Sequence, residues 1–262
     1  MQLQLKKFKP ETMGDDRVCV FLGKRNTGKS TLIKDIMYYK RHIPAGICMS
    51  GTEDGNHYYS SWIPDLFIYP EYDREAVERV MDRQKKLVAQ GRKNCGAFLL
   101  FDDVMYDAKF LKEPILRQIA MNGRHWKLFV MMAFQYCMDM PPAIRSNIDY
   151  VFVLRENIVS NRDKIWKNFF GIFPTFHAFN SVMDQCTNDF ECLVLDNTSR
   201  SNKIEDVVFW YKADLKKPKF RVGAPEFWSV HKKLYNPSHH LKGKDQEKPQ
   251  DKKTKIVVKK KK

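Results

Sequence analysis

Three features of the sequence predict an α/β fold built on a mainly parallel sheet: strands apolar on both faces, helices with a single apolar face between them, and a glycine-lysine loop joining the first strand to the first helix. Residues 17–22 form a short apolar run that ends at Gly23, and residues 30–40 continue with apolar positions at helical spacing. Residues 45–49 and 66–69 read as further strands, followed by a helix over 73–90 whose Val77, Val80, Met81, Leu87 and Val88 share one face. Residues 97–101 are an uninterrupted apolar strand that runs directly into Asp102 and Asp103. A helix over 108–121 and strands over 126–134 and 150–154 complete a doubly wound core spanning residues 15–156. An elaboration over 157–236 adds an amphipathic helix at 162–173 and strands at 190–195 and 207–211, so residues 1–236 read as one domain. Residues 237–262 carry little apolar content and are expected to form a disordered basic tail.

A chain of 262 residues with 43% hydrophobic content suits one large domain better than two. With 46 Lys and Arg against 31 Asp and Glu, its formal charge of +15 favours polyanionic partners such as nucleic acid or an acidic membrane surface. Residues 242–262 concentrate that excess, with ten lysines against Asp245, Glu247 and Asp251. The six cysteines include no CxxC pair and several sit in apolar runs, a pattern of reduced core thiols rather than disulfides or a zinc site. No apolar run approaches the roughly 20 residues that cross a bilayer, and the N-terminal stretch lacks the apolar core of a signal peptide, so a soluble protein is expected.

Gly23, Lys24, Arg25, Asn26, Thr27, Gly28, Lys29 and Ser30 match GxxxxGK[ST] at every fixed position, between a predicted strand and a predicted helix. The glycines let the backbone approach phosphates closely, so that successive N–H groups and the helix N-terminus face the anion. Lys29 is placed to reach the β and γ phosphates of ATP, Ser30 to complete a Mg²⁺ site, and Thr31 to extend the nucleotide contact. Asp102, at the end of its apolar strand, is the second candidate Mg²⁺ holder, and Asp103 the candidate general base for the attacking water. The alternative for this pair is that it caps the following helix. Gln135 ends the 126–134 strand, where its amide would sense the γ-phosphate or orient water. Arg124 and Arg145 are candidates to act in trans on a neighbouring subunit's ATP.

Other signals read as bland. Asn202-Lys203-Ile204-Glu205 approximates a guanine-reading NKxD but ends in Glu and lacks an accompanying DxxG. His239 and His240 have no ligand partners at metal spacing. Trp166, Phe169, Phe170, Phe173, Phe176 and Phe179 recur at helical spacing, as core residues do.

The order GKRNTGKS, FLLFDD, NGRHWKLFVMMAFQY, PPAIRSNIDYVFVLRE resembles the DNA-packaging ATPases of large nucleocytoplasmic DNA viruses, of poxvirus and giant-virus type, within the FtsK-HerA branch of P-loop motors. The resemblance covers residues 15–156. It implies a RecA-like core with additional strands, ring assembly, double-stranded DNA as cargo and no small-molecule substrate beyond ATP. It further implies a capsid or internal-membrane vertex partner, and residence in the host cytoplasm at the viral factory and in the virion. It assigns Lys29 and Ser30 to nucleotide and metal, Asp102 and Asp103 to the Walker B pair, and Gln135 to the sensor. That pair is often Asp-Glu in the family and is Asp-Asp here, so the shorter Asp103 has to approach the water more closely. Rival readings are a small-molecule kinase, a GTPase, or a non-catalytic nucleotide-gated DNA-binding scaffold.

Overall fold

The structure, a computed structural model, describes residues 3–104, 112–136 and 140–236. The expected basic tail, and the first part of the helix expected from residue 108, lie outside the described residues. Among those described, strands β1 (Lys6–Lys7), β2 (Val18–Leu22), β3 (Ala45–Ser50), β4 (Ile68–Tyr69), β5 (Ala97–Asp102), β6 (Leu128–Phe134), β7 (Tyr150–Val153), β8 (Glu191–Asp196) and β9 (Val208–Lys212) form one sheet. Its order is β1-β9-β8-β7-β2-β6-β5-β3-β4. The six strands from β7 to β4 are parallel, β8 alone is reversed against both neighbours, and β1 runs parallel to β9.

Helices α1 (Lys29–Tyr39), α2 (Glu53–Asn56), α3 (Arg74–Ala89), α4 (Pro114–Asn122), α5 (Pro142–Arg145), α6 (Val159–Phe169), α7 (Phe176–Cys186), α8 (Ile204–Val207) and α9 (Pro225–Leu234) join or cover the strands. Because successive strand residues point to opposite faces, the central strands feed two cores. Val18, Val20 and Leu22 of β2, with Leu99 and Phe101 of β5, pack with Val77 of α3, Ile119 of α4, Ile165 of α6 and Phe179 of α7. Cys19 and Phe21, with Phe98 and Leu100, pack on the other face with Ile33 and Ile36 of α1, Trp62 and Phe227 of α9. The predicted aromatic block thus belongs to the first core, where Phe170, Phe173 and Phe179 meet at ring separations of 5.2–6.4 Å. Cys19, Cys48, Cys95 and Cys192 are buried free thiols.

Two arrangements exceed what periodicity predicts. The chain leaves β7 at the carboxyl edge of the sheet, descends through α6 and returns through α7, so the next strand, β8, must run backwards. After β9 the chain folds back over the first core's opposite face: Val222, Gly223 and Ala224 donate backbone hydrogen bonds to Trp62, Arg41 and Pro44, and Phe227 of α9 stacks on Phe67 at 4.2 Å. No helix among the described residues is long and apolar enough to cross a membrane.

Candidate nucleotide-binding site

Parallel strands deliver their ends to one edge, and in this sheet that edge gathers the loop after β2, the ends of β3, β5, β6 and β7, and, through its reversal, the start of β8. The loop after β2 remains tied to the sheet at its origin, where Gly23 N–H donates to the Phe134 carbonyl at 3.0 Å. Gly23 has no room for a side chain: a Cβ would stand 2.6 Å from Thr27 Oγ1. Asn26 and Gly28 are left-handed, with φ of 62° and 93°, and Gly28 precedes α1 with no side-chain cap for the first amides of the helix. Thr27 Oγ1 donates to the Lys24 carbonyl at 2.8 Å, closing the loop on itself, while Arg25 and Asn26 are exposed at its tip. Thr31 is the third residue of α1, half-buried.

Lys29 is buried, with Nζ 3.9 Å from Asp102 Oδ1. Ser30 Oγ donates to Asp102 Oδ2 at 3.1 Å, and the Tyr59 hydroxyl donates to the same oxygen. Asp102 Oδ1 accepts no hydrogen bond among the described residues although it is buried. Burial pushes the Asp102 carboxyl above the ordinary aspartate range, and the charge of Asp103 adds to that push, against Lys29, Tyr59 and Ser30. A buried carboxylate with one oxygen that accepts no hydrogen bond, beside a hydroxyl, is an oxygen donor set that fits a hard divalent cation, while the Lys29 ammonium suits a phosphate. Ser30 and Asp102 are the residues that would hold Mg²⁺.

Asp103 takes a left-handed backbone, φ 56°, which turns it out of the strand. Its Oδ1 accepts from Gln135 Nε2 at 2.5 Å, so the candidate base and the candidate sensor, 32 residues apart in sequence, meet over the ends of β5 and β6. The structure thus brings Lys29, Ser30, Asp102, Asp103 and Gln135 together.

It places the two arginines elsewhere. Arg124 precedes β6, at the opposite, amino edge, where it pairs with Asp149 just before β7; Asp149 also accepts from Val18 N–H at 2.8 Å. Arg145 ends α5 on the way to β7 and donates to Asn168 near the end of α6. Neither reaches this chain's own phosphate loop. A cleft of about 1120 Å³ also opens at the amino edge, between Pro44, Gly96, Arg79 and Phe227, away from the phosphate loop.

Three residues that sequence reasoning passed over belong to the site. Tyr59 is buried against Asp102, and burial together with that carboxylate pushes its phenol upward, so it stays a donor. Glu53 accepts the Tyr59 and Ser60 amides at 2.8 and 2.7 Å and fixes the turn that carries Tyr59. Glu156, just past β7, pairs with Lys24 at 2.6 Å and braces the phosphate loop from its other flank. Only the position of Glu156, three residues beyond an apolar strand, could have flagged any of them.

No family model matches the chain. It is 35% identical over 247 residues to the uncharacterised protein L437 of Acanthamoeba polyphaga mimivirus, covering 91% of this chain and 86% of that one. It is 38% identical to protein 075L of Invertebrate iridescent virus 6, over 86% and 88% of the two chains. The chain belongs to this family of mimivirus and iridescent-virus proteins. A further member, protein 088R of Invertebrate iridescent virus 3, is 37% identical over 90% of each chain. Among solved structures, the fold of this chain is similar to that of B204, the DNA-packaging ATPase of Sulfolobus turreted icosahedral virus, with a TM-score of 0.54 and 19% identity over 77% of this chain and all of that one. The cytoplasmic domain of the Thermomonospora curvata type VII secretion ATPase EccC shares the fold at a TM-score of 0.51 and 12% identity, over 85% of this chain and 28% of that one. The chain has the fold of P-loop ATPases: a mostly parallel sheet flanked by helices, with the phosphate loop after β2.

Proposed function

We propose that this protein hydrolyses ATP with Mg²⁺ and couples the hydrolysis to translocation of double-stranded DNA, packaging a viral genome. The observation that carries the reading is the joining of Lys29, Ser30 and Asp102 on one side of the phosphate loop with the Asp103–Gln135 hydrogen bond beside them. Lys29 binds the β and γ phosphates, the α1 amides receive them, Asp103 takes the proton of the attacking water, and Gln135 orients Asp103 and that water. Ser30 and Asp102 would hold Mg²⁺, which would supply positive charge against the phosphates. The likeness of fold to B204 of Sulfolobus turreted icosahedral virus 2, solved in complex with AMPPCP, supports the nucleotide, and the viral membership of the family supports the packaging context. The positive excess supports DNA as cargo, held through its phosphates without regard to sequence.

In this reading the protein acts as a ring at the viral factory, docks on a capsid or internal-membrane vertex component, and one of Arg124 or Arg145 serves a neighbour's ATP. The test is steady-state ATP hydrolysis with and without long double-stranded DNA. DNA should stimulate turnover, and Lys29→Ala and Asp103→Asn should each lower it by at least about 100-fold, the scale of losing a principal catalytic group. Turnover indifferent to DNA would overturn the coupling, and turnover surviving both substitutions would overturn the site.

A further inference from the structure

The phosphate loop has a direction, and that direction locates the rest of the nucleotide. The residues that address the γ-phosphate and its water, Asp102, Asp103 and Gln135, all stand at the ends of β5 and β6, on one flank of β2. A polyphosphate lying in the loop with its γ end on that flank must send its nucleoside toward the other flank, over β7 and β8. What stands there is Phe190. The reversal of β8 brings its first residue, Glu191, to the carboxyl edge, two positions beyond the pairing of Leu193 with Val153 at the end of β7. Phe190 projects one residue further.

Phe190 is 62% exposed, which is unusual for a phenylalanine in a chain whose other rings mostly fill two cores. It also lies directly against the phosphate loop: a Cβ built on Gly28 would come within 3.2 Å of Phe190 Cδ1. Its backbone is held in an uncommon shape, with Asp189 and Phe190 both left-handed at φ 48° and 62°. The turn is braced on every side: Thr187 Oγ1 donates to the Met183 carbonyl at 2.7 Å, Asn188 Nδ2 to the Asp184 carbonyl at 2.6 Å, and Glu191 N–H to the Asn188 carbonyl at 2.9 Å. Lys212 of β9 pairs with Asp189. An exposed aromatic ring fixed beside a phosphate loop, on the flank where a nucleoside must lie, has the makings of a stacking platform.

We infer that Phe190 stacks on the nucleobase of the bound nucleotide and gives the site its preference for purine over pyrimidine triphosphates. The inference rests on the nucleotide-site reading above and adds the base-binding half of that site. A larger base covers more of the ring, so the contribution falls from purine to pyrimidine, and it is absent for a ligand without a base.

The experiment is titration calorimetry of the full-length wild type, Phe190→Ala and Phe190→Trp with three probes in the presence of Mg²⁺: AMPPNP, CTP and inorganic tripolyphosphate. Thermal melts accompany it, and an exposed side chain should change them little. Phe190→Ala should bind AMPPNP roughly ten-fold or more weakly, the loss expected of one base–aromatic stack, leave tripolyphosphate binding unchanged, and lose discrimination between AMPPNP and CTP. Phe190→Trp should restore AMPPNP affinity. Equal AMPPNP affinity in wild type and Phe190→Ala would overturn the inference, including the case in which the substitution changes only the oligomeric state. An equal loss of tripolyphosphate binding would overturn it too, because Phe190 would then be supporting the loop. If the wild type binds neither AMPPNP nor tripolyphosphate, the nucleotide site itself fails and the base platform with it.

Discussion

Lys24 and Glu156 show how a single ion pair can brace a loop with a partner from outside the motif that defines it. Burial alone would raise the Glu156 carboxyl, yet Lys24, the Ile158 amide and the Asn161 side chain outweigh it and hold Glu156 below its ordinary value of 4.5. A carboxyl with a depressed folded pKa contributes stability that is present above the unfolded value and lost as pH falls through the folded one. Lys24→Ala should therefore lower the melting temperature of the nucleotide-free protein at neutral pH. Lys24 is partly exposed, so the effect should be worth about 0.5–1 kcal/mol. The difference from wild type should shrink as pH drops below 4.5. A deficit that stays constant across that range in thermal melts would show that the pair is not its source. Tyr59 presents the complementary case: it donates to a buried Asp102 oxygen, yet no local motif marks it, because the two residues lie 43 positions apart in sequence.

At the scale of elements, Arg124 fastens the turn between α4 and β6 to the first residues of β2 and β7 through buried Asp149. Asp149 is 1% exposed, and burial pushes its carboxyl upward while the Val18 amide and Arg124 oppose the push. Arg124→Ala leaves that carboxylate with one donor, so stability should fall by about 1–3 kcal/mol, read by urea denaturation. If Arg124 also serves a neighbour's ATP, DNA-stimulated turnover should fall further than unfolding at the assay temperature explains. Unchanged stability would show that the pair does not anchor the turn. The sequence placed Arg124 just before the 126–134 strand, but only the strand direction reveals that it stands at the edge opposite the phosphate loop. Likewise β8 was legible as a strand, whereas its reversal follows from two helices, rather than one, lying between it and β7.

For the molecule as a whole, the two cores share one sheet, and the segment after β9 closes the second of them. Phe227 sits against Phe67 and Phe98 and is 6% exposed, so Phe227→Ala should cost about 3–5 kcal/mol and unfold in one cooperative urea transition. Two separated transitions would show that the C-terminal elaboration folds apart from the core. The helix α9 escaped the sequence reading because Pro225 opens it and only Phe227 of its residues is buried, leaving little periodic signal. By itself the sequence determined the alternation of strands and helices, the glycine-lysine loop after β2 and the apolar strand ending on Asp102 and Asp103, because each is written in residues close along the chain, as fixed glycine spacing or a run of apolar side chains ending on acids. Tertiary structure alone decided which edge holds Arg124, that Gln135 meets Asp103, that Tyr59 and Glu156 join the site, and that Phe190 stands beside Gly28. Those relations depend on strand order and direction, which bring together side chains tens to more than a hundred residues apart, and no local pattern encodes such a distance.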